Sequence, residues 1–227
     1  FDILETMYSA QNFVLAVDST VIFPQLRVNW SFLNNTADGN LADGDIGSSF
    51  YFRNPGSEIY ILGQQNDDTD EFDSHSVLHV WCHFFEDRIG LADSIGGPHF
   101  SVDVLDIRLA FSEGFCNALS GLILNDPDFR DTVGTLQTGE FSSSLESPRF
   151  GIAGWYARNS SQALIYNFVD SRNQALDTVT LGFAPLYRAL TGDYRDTPAF
   201  TSIFSFLDAL YDEAPAQADA IAAMVAG

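Results

Sequence analysis

Lysine is missing from the 227 residues altogether: the ten basic side chains are all Arg, set against 31 acidic ones, for a net charge of -21. That balance argues against nucleic-acid or anionic-membrane binding, because like charge repels the polymer at long range. It suits a surface kept in solution at high salt, where screening relieves self-repulsion, so a saline or extracellular setting is expected. Cysteine is nearly missing too, and two residues are too few for a disulfide scaffold. No run of about 18 apolar residues occurs, so no membrane-spanning segment is expected. Nor is there a phosphate-cradling glycine-rich loop, a nucleophile elbow or a basic stripe. The first residue is Phe1 rather than Met, with no charged-then-apolar leader ahead of it, as expected of a processed chain whose targeting segment has been removed.

What is present is a globular composition. With 46% apolar and 14% aromatic residues, residues 1–227 can bury one sizeable core, and a single domain is expected. Residues 2–17 carry Ile3, Leu4, Met7, Tyr8, Phe13 and Val14 with few breakers and read as an amphipathic helix. Strand-like runs follow at 26–32, 49–53 and 58–62, separated by loops rich in Asn, Gly and Asp, and Asp70 reads as a helix N-cap. Helical patterns occupy 71–87 and 104–124, and residues 132–151 look irregular. Helices return at 161–169, 176–190, 197–211 (Thr197 as cap, Pro198 in the first turn) and 215–225. Strands early and helices late favour an α+β fold over a doubly wound sheet.

All four histidines fall between positions 75 and 99. On a helix over 71–87, His79 and His83 stand about 40° apart around the axis, so both side chains reach one ion. His75 and Glu86 continue the same stripe. Neutral imidazole suits zinc and its neighbours, and two His plus one carboxylate leave a position open for water, as catalytic zinc sites do. Glu113 on the next helix offers that carboxylate. Glu86 is the alternative ligand, and better suited to holding an imidazole from behind. A metal-free, hydrogen-bonded core stripe of His75, His79 and His83 is the competing reading. Ahead of the helix, Asp67, Asp68, Asp70 and Asp73 offer oxygen ligands for calcium, although capping and the helix dipole account for them too.

The stretch from Asp73 to Asn117 resembles the gluzincin type of zinc metallopeptidase, whose signature is His-Glu-x-x-His on one helix and a ligand Glu on a later one. More narrowly, it is similar to bacterial secreted or lipid-anchored peptidase-like proteins with a His-Glu-Trp-Gly-His-like segment before a Ser-Ile-Gly-Gly-Pro-His loop. Here those segments read His79-Val80-Trp81-Cys82-His83 and Ser94-Ile95-Gly96-Gly97-Pro98-His99. The likeness extends over most of the chain, including 58–63 and 181–187, with sharp motifs over about a fifth of it.

The resemblance implies a zincin-like α+β domain: a small N-terminal antiparallel or mixed sheet, two ligand-bearing helices and a mainly helical C-terminal half. It implies zinc on His79, His83 and Glu113 with Asn117 nearby, a peptide or protein substrate, and an extracellular, periplasmic or lipid-anchored location. It breaks at Val80. The family has Glu there, the general base that takes a proton from zinc-bound water, and valine can neither accept nor donate one. An impaired or inactive peptidase is therefore expected, or else a non-catalytic extracellular binding, structural or assembly protein that retains the fold. His99, Tyr156 and Tyr187 are candidates for contacting substrate or an oxyanion. Cys82 and Cys116 sit at matching offsets from His79 and Glu113, where the family pattern has small residues. A disulfide between Cys82 and Cys116 pinning the two helices is one expectation, a pair of buried thiols another, and soft metal ligands a third.

Overall fold

The computed structural model describes residues 2–53, 56–100, 102–147, 152–172 and 177–226. Helix α1 (Asp2–Leu15) turns Met7, Ala10 and Val14 inward, a spacing of three and four that keeps one face on the core. Strands β1 (Arg27–Trp30), β2 (Phe50–Phe52) and β3 (Glu58–Ile61) form a mixed sheet in the order β1-β3-β2. β3 runs parallel to β1, with Arg27 opposite Glu58, and antiparallel to β2, with Phe50 opposite Tyr60. Ile59 and Ile61 alternate into the interior, as a half-buried strand requires.

Helix α2 (Ser74–Arg88) is buried on most of its circumference: Val77, Leu78, Trp81, Phe84 and Phe85 enter the core, with Trp81 stacked on Phe85 at 5.7 Å. Its histidines occupy the remaining face. Helix α3 (Ile107–Leu124) starts at Asp106, whose Oδ1 accepts from the Arg108 backbone N–H at 3.0 Å. It stops where Asn125 adopts a left-handed conformation (φ 53°) just ahead of Pro127. By length and composition α3 is apolar enough to cross a membrane, although Arg108, Glu113 and Asn117 interrupt its apolar residues. Most of it is instead buried, packed between α2 and α4 (Arg158–Val169). The main buried cluster draws on residues from Met7 to Ile221, with a small satellite of Leu105, Leu109 and Ala110, so helices and small sheets share a core in a mixed α+β arrangement.

Two glycines let α3 sit this deep. A Cβ on Gly114 would fall 2.6 Å from the Arg158 carbonyl oxygen and 2.7 Å from Ser161 Cβ, so α3 and α4 meet at backbone contact there. Gly121 is equally closed in, by Leu145 and the Asp126 carbonyl. Gly114→Ala is expected to lower stability by about 1–3 kcal/mol, the usual cost of overpacking, read as a reduced urea midpoint. An unchanged midpoint would mean that α4 is not seated on α3 in this way.

Several expectations need correction. Residues 132–151 do not form an irregular segment: β4 (Asp128–Val133) and β5 (Gly139–Ser144) pair as an antiparallel hairpin, with Asp128 opposite Ser144. Residues 148–151 lie outside the described residues. Asp70 opens a short 3-10 turn (Asp70–Phe72) rather than capping α2. Asp73 takes the cap position, but its carboxylate turns to β4 and accepts from the Thr132 backbone N–H (3.0 Å) and hydroxyl (2.8 Å).

The helix expected from 176 begins later, as α5 (Phe183–Thr191); residue 176 itself lies outside the described residues. A one-turn α6 (Asp193–Asp196) ends at Thr197, so Thr197 and Pro198 close one helix rather than open the next. α7 (Ile203–Glu213) is capped by Ser202 in a capping box with Ser205. The cause is Asp93, which accepts from the Thr201 backbone N–H at 3.2 Å and from its hydroxyl, holding that segment outside the helix. A final α8 (Ala218–Ala226) follows.

Candidate metal centre

His79 and His83 project from α2 one turn apart, and Glu113 meets them from α3. The Nε2 atoms of the two imidazoles lie 3.1 Å apart with ring planes nearly perpendicular. His79 Nε2 is 3.3 Å from Glu113 Oε2, and His83 Nε2 is 3.4 Å from Glu113 Oε1. Both imidazoles thus converge, by the same nitrogen, on the two oxygens of one carboxylate. That carboxylate is buried, and burial alone would lift its pKa, but His83, His79 and His99 outweigh burial and hold it well below the usual range. Burial keeps His79 below the ordinary imidazole value. It acts the same way on His83, where the Glu113 and Glu86 carboxylates overcome it and raise the ring to about 10.

Behind His83 stands the carboxylate expected there. Glu86 is 3% exposed, and its Oε2 lies 3.5 Å from His83 Nδ1, the ring nitrogen away from Glu113. It accepts from Ser112 Oγ at 2.6 Å, and Ser112 Oγ in turn lies 3.2 Å from His83 Nδ1. This is the arrangement by which an outer carboxylate fixes the tautomer and tilt of a ligand imidazole. Asn117 shares the cavity wall with His79, but its amide is committed to Gln162 Oε1 at 2.9 Å, bracing α3 against α4. His75 continues the stripe as a core residue rather than a ligand: its Nδ1 meets Ser120 Oγ at 3.1 Å.

Of the readings open for the cysteine pair, the disulfide is not formed: Cys82 and Cys116 are free, buried thiols, the second expectation. The Cys116 thiol donates to Glu86 Oε2 at 3.4 Å and lies 3.4 Å from His83 Nδ1, so it belongs to the support of the histidine. Burial pushes the Cys82 thiol up to about 12 and holds Cys116 well above the ordinary thiol range.

The loop between α2 and α3 supplies the other side. Gly96 (φ 60°) and Gly97 (φ 100°) adopt left-handed conformations that favour glycine, and the turn they make delivers His99 to the site. His99 Nδ1 lies 2.9 Å from the Gly97 carbonyl and its Nε2 lies 3.0 Å from Glu113 Oε2. Tyr156 and Tyr187 are not brought here. Tyr187 donates to Asp18 Oδ2 at 2.8 Å and packs on Phe85 and Phe183. Tyr156 rests edge-on against Trp155, and neither tyrosine is among the residues lining the cavity.

That cavity, of about 960 Å³, opens over His79, His83 and Glu113 between α2, α3, β2 and the 94–100 loop. A smaller one of about 360 Å³ adjoins it and shares His79, Val80, His99 and Arg158. Val80, 3% exposed, forms part of the wall of both, beside His79. Arg158, at the start of α4, escaped the sequence reading. Its Nη1 lies 4.0 Å from Glu113 Oε2, its Nε has no hydrogen-bond partner, and burial lowers its pKa. The signal was there: a cation in the first turn of a helix opposes the macrodipole and calls for another reason.

No protein-family model matches the chain, and no curated protein matches it. Fold and site together define a mixed α+β protein with a three-donor cluster of two imidazoles and a carboxylate at the floor of a cleft.

Proposed function

We propose that this is a zinc-binding, gluzincin-like peptidase domain acting outside the cytoplasm on peptide or protein ligands, with hydrolysis impaired by valine at position 80. One observation carries the metal reading: the two imidazole Nε2 atoms stand 3.1 Å apart, and each lies 3.3 or 3.4 Å from its own oxygen of the Glu113 carboxylate. Four ligands at zinc distances of about 2.0–2.1 Å form a tetrahedron whose edge is about 3.3 Å. The two nitrogen-to-oxygen separations are longer than a good hydrogen bond, which is about 2.7–3.2 Å, yet they match that edge. Two imidazoles and one carboxylate also match the donor set of hydrolytic zinc sites.

When bound, zinc would supply Lewis acidity and an activated water. The chain's own groups would do the rest. Arg158 faces the same cavity and offers N–H donors for a developing oxyanion, with His99 beside it held on Glu113 and the Gly97 carbonyl. Glu86, which also lines the cleft, lies on the Nδ1 side of His83 and accepts from Ser112, so it is placed to support that ring. Val80 itself offers the proton no acceptor. The second reading, a non-catalytic binding protein that keeps the cleft for recognition, draws on that same position.

Metal analysis tests the proposal. After dialysis against trace zinc, about one equivalent is expected to remain, to be removed by chelator with a fall in thermal midpoint, and to support peptide cleavage little above background. Absence of bound zinc would overturn it.

A further inference from the structure

Four carboxylates from two chain segments meet beside the histidine cleft. Asp68 and Asp70 precede α2, Asp73 stands at its start and Asp131 comes from β4, and one oxygen of each lies within 4.8 Å of the others. Asp67, grouped with them by sequence, is turned away: its carboxylate accepts from the Thr36 backbone N–H at 2.8 Å and from the Thr36 hydroxyl. Asp131, which no local pattern joins to this group, takes its place.

What marks this as more than an acidic patch is an oxygen with nothing to bond. Asp68 is 7% exposed, and its Oδ1 is enclosed without a hydrogen-bond partner; the Oδ1 of Asp131 is enclosed in the same way. Leaving a carboxylate oxygen buried and unpaired costs several kcal/mol in principle. Among the described residues none of the four carboxylates forms an ion pair. Neutral hydroxyls and a backbone N–H hold two of the four, Asp70 by Ser49 and Asp73 by Thr132, while Asp131 also engages Asp70 and Ser76. Burial first, and mutual repulsion second, push Asp68 up to about 7, Asp70 to about 8 and Asp131 to about 6. The pocket is built for positive charge, and the described residues supply none.

We propose that Asp68, Asp70, Asp73 and Asp131 form a second cation site, for calcium, that ties the segment leading into α2 to strand β4. All donors are oxygens and mostly carboxylates, the choice of a hard cation, without nitrogen or sulfur to favour zinc. Oxygens within 4.8 Å of one another fit a calcium sphere, whose opposite ligands stand about 4.6–5.2 Å apart and whose geometry is permissive. Magnesium demands a stricter octahedron and keeps several waters, which this enclosure disfavours. The ion neutralises the repulsion at the base of the helix that carries His79 and His83. It thereby fixes the direction of α2 without touching the imidazoles, and it stands whether or not zinc occupies the histidines.

The test uses the full chain, stripped with chelator, in about 0.5 M NaCl so that exposed carboxylates are screened. Calcium is titrated by calorimetry into the parent chain, into His79→Ala/His83→Ala and into Asp68→Asn/Asp131→Asn, with thermal unfolding alongside. One equivalent of calcium is expected in the first two, with a thermal midpoint raised by calcium and much less by magnesium. The Asn pair is expected to bind at least about tenfold more weakly while remaining folded, since it removes like charges without changing shape. Equal binding by the Asn pair, an equal effect of magnesium, or no binding at 10-millimolar-order calcium by a folded parent chain would each overturn the assignment. Because the histidine variant is carried in parallel, failure of the zinc reading leaves this outcome legible.

Discussion

Val80→Glu is expected to raise peptide hydrolysis by about 10²–10⁴-fold over the parent chain, the range a positioned general base contributes. The reason is local. Val80 follows His79 on α2, is 3% exposed, and forms part of the wall of both cavities that meet over the histidines and Glu113. A carboxylate replacing it starts from the same Cβ and points to the same space beside His79. The assay is hydrolysis of a fluorogenic peptide library by zinc-loaded protein, with and without chelator. Val80→Gln is the matched control: it has the shape of Glu without its basicity and should stay at the parent rate. If Val80→Glu retains its zinc yet cleaves no faster than Val80→Gln, the cleft is not a peptidase centre. The binding-protein reading then takes precedence.

His79→Ala/His83→Ala is expected to weaken zinc binding by about 10³-fold or more, leaving essentially no metal after dialysis. Loss of a supporting residue alone costs about 10–100-fold, and this change deletes two of three donors. Glu86→Gln gives the graded comparison, expected within that 10–100-fold range, because it keeps Ser112 as a partner while removing the carboxylate next to His83 Nδ1. The double variant also strands Glu113, buried and now facing only His99 and Arg158. Lower stability in the metal-free state is the accompanying effect, checked by circular dichroism and thermal unfolding. Zinc retained at one equivalent in a folded double variant would mean that the metal lies elsewhere.

The helices and strands that could be read along the chain are those whose apolar periodicity is strong and local. α1, the three strands of the mixed sheet and the bodies of α2 and α3 fall where hydrophobic spacing puts them. The hairpin of β4 and β5 was not legible, because Asp128–Val133 and Gly139–Ser144 are mostly polar and short. They pair because the hairpin docks on α2: Phe129 lies against His75 with ring centroids 5.2 Å apart, and Thr132 engages Asp73. The start of α7 was misjudged for a related reason. Thr197 and Pro198 form a sound local start signal, but Asp93, over a hundred residues away in sequence, holds Thr201 extended and moves the cap to Ser202.

The site divides along the same line. Sequence by itself determined that His79 and His83 share a helix face, since four residues along an α-helix bring side chains into register whatever surrounds them. It also determined that valine, which can neither accept nor donate a proton, follows His79 on that helix. Tertiary structure alone decided the rest: that Glu113 offers one oxygen to each imidazole, that Glu86 backs His83, that Cys82 and Cys116 are free thiols, and that Arg158 and Asp131 reach the cleft from α4 and β4. Those placements depend on how α3, closed in at Gly114 and Gly121, packs against its neighbours. Contacts between distant segments leave no periodic trace in a single chain, whereas the turn of a helix does.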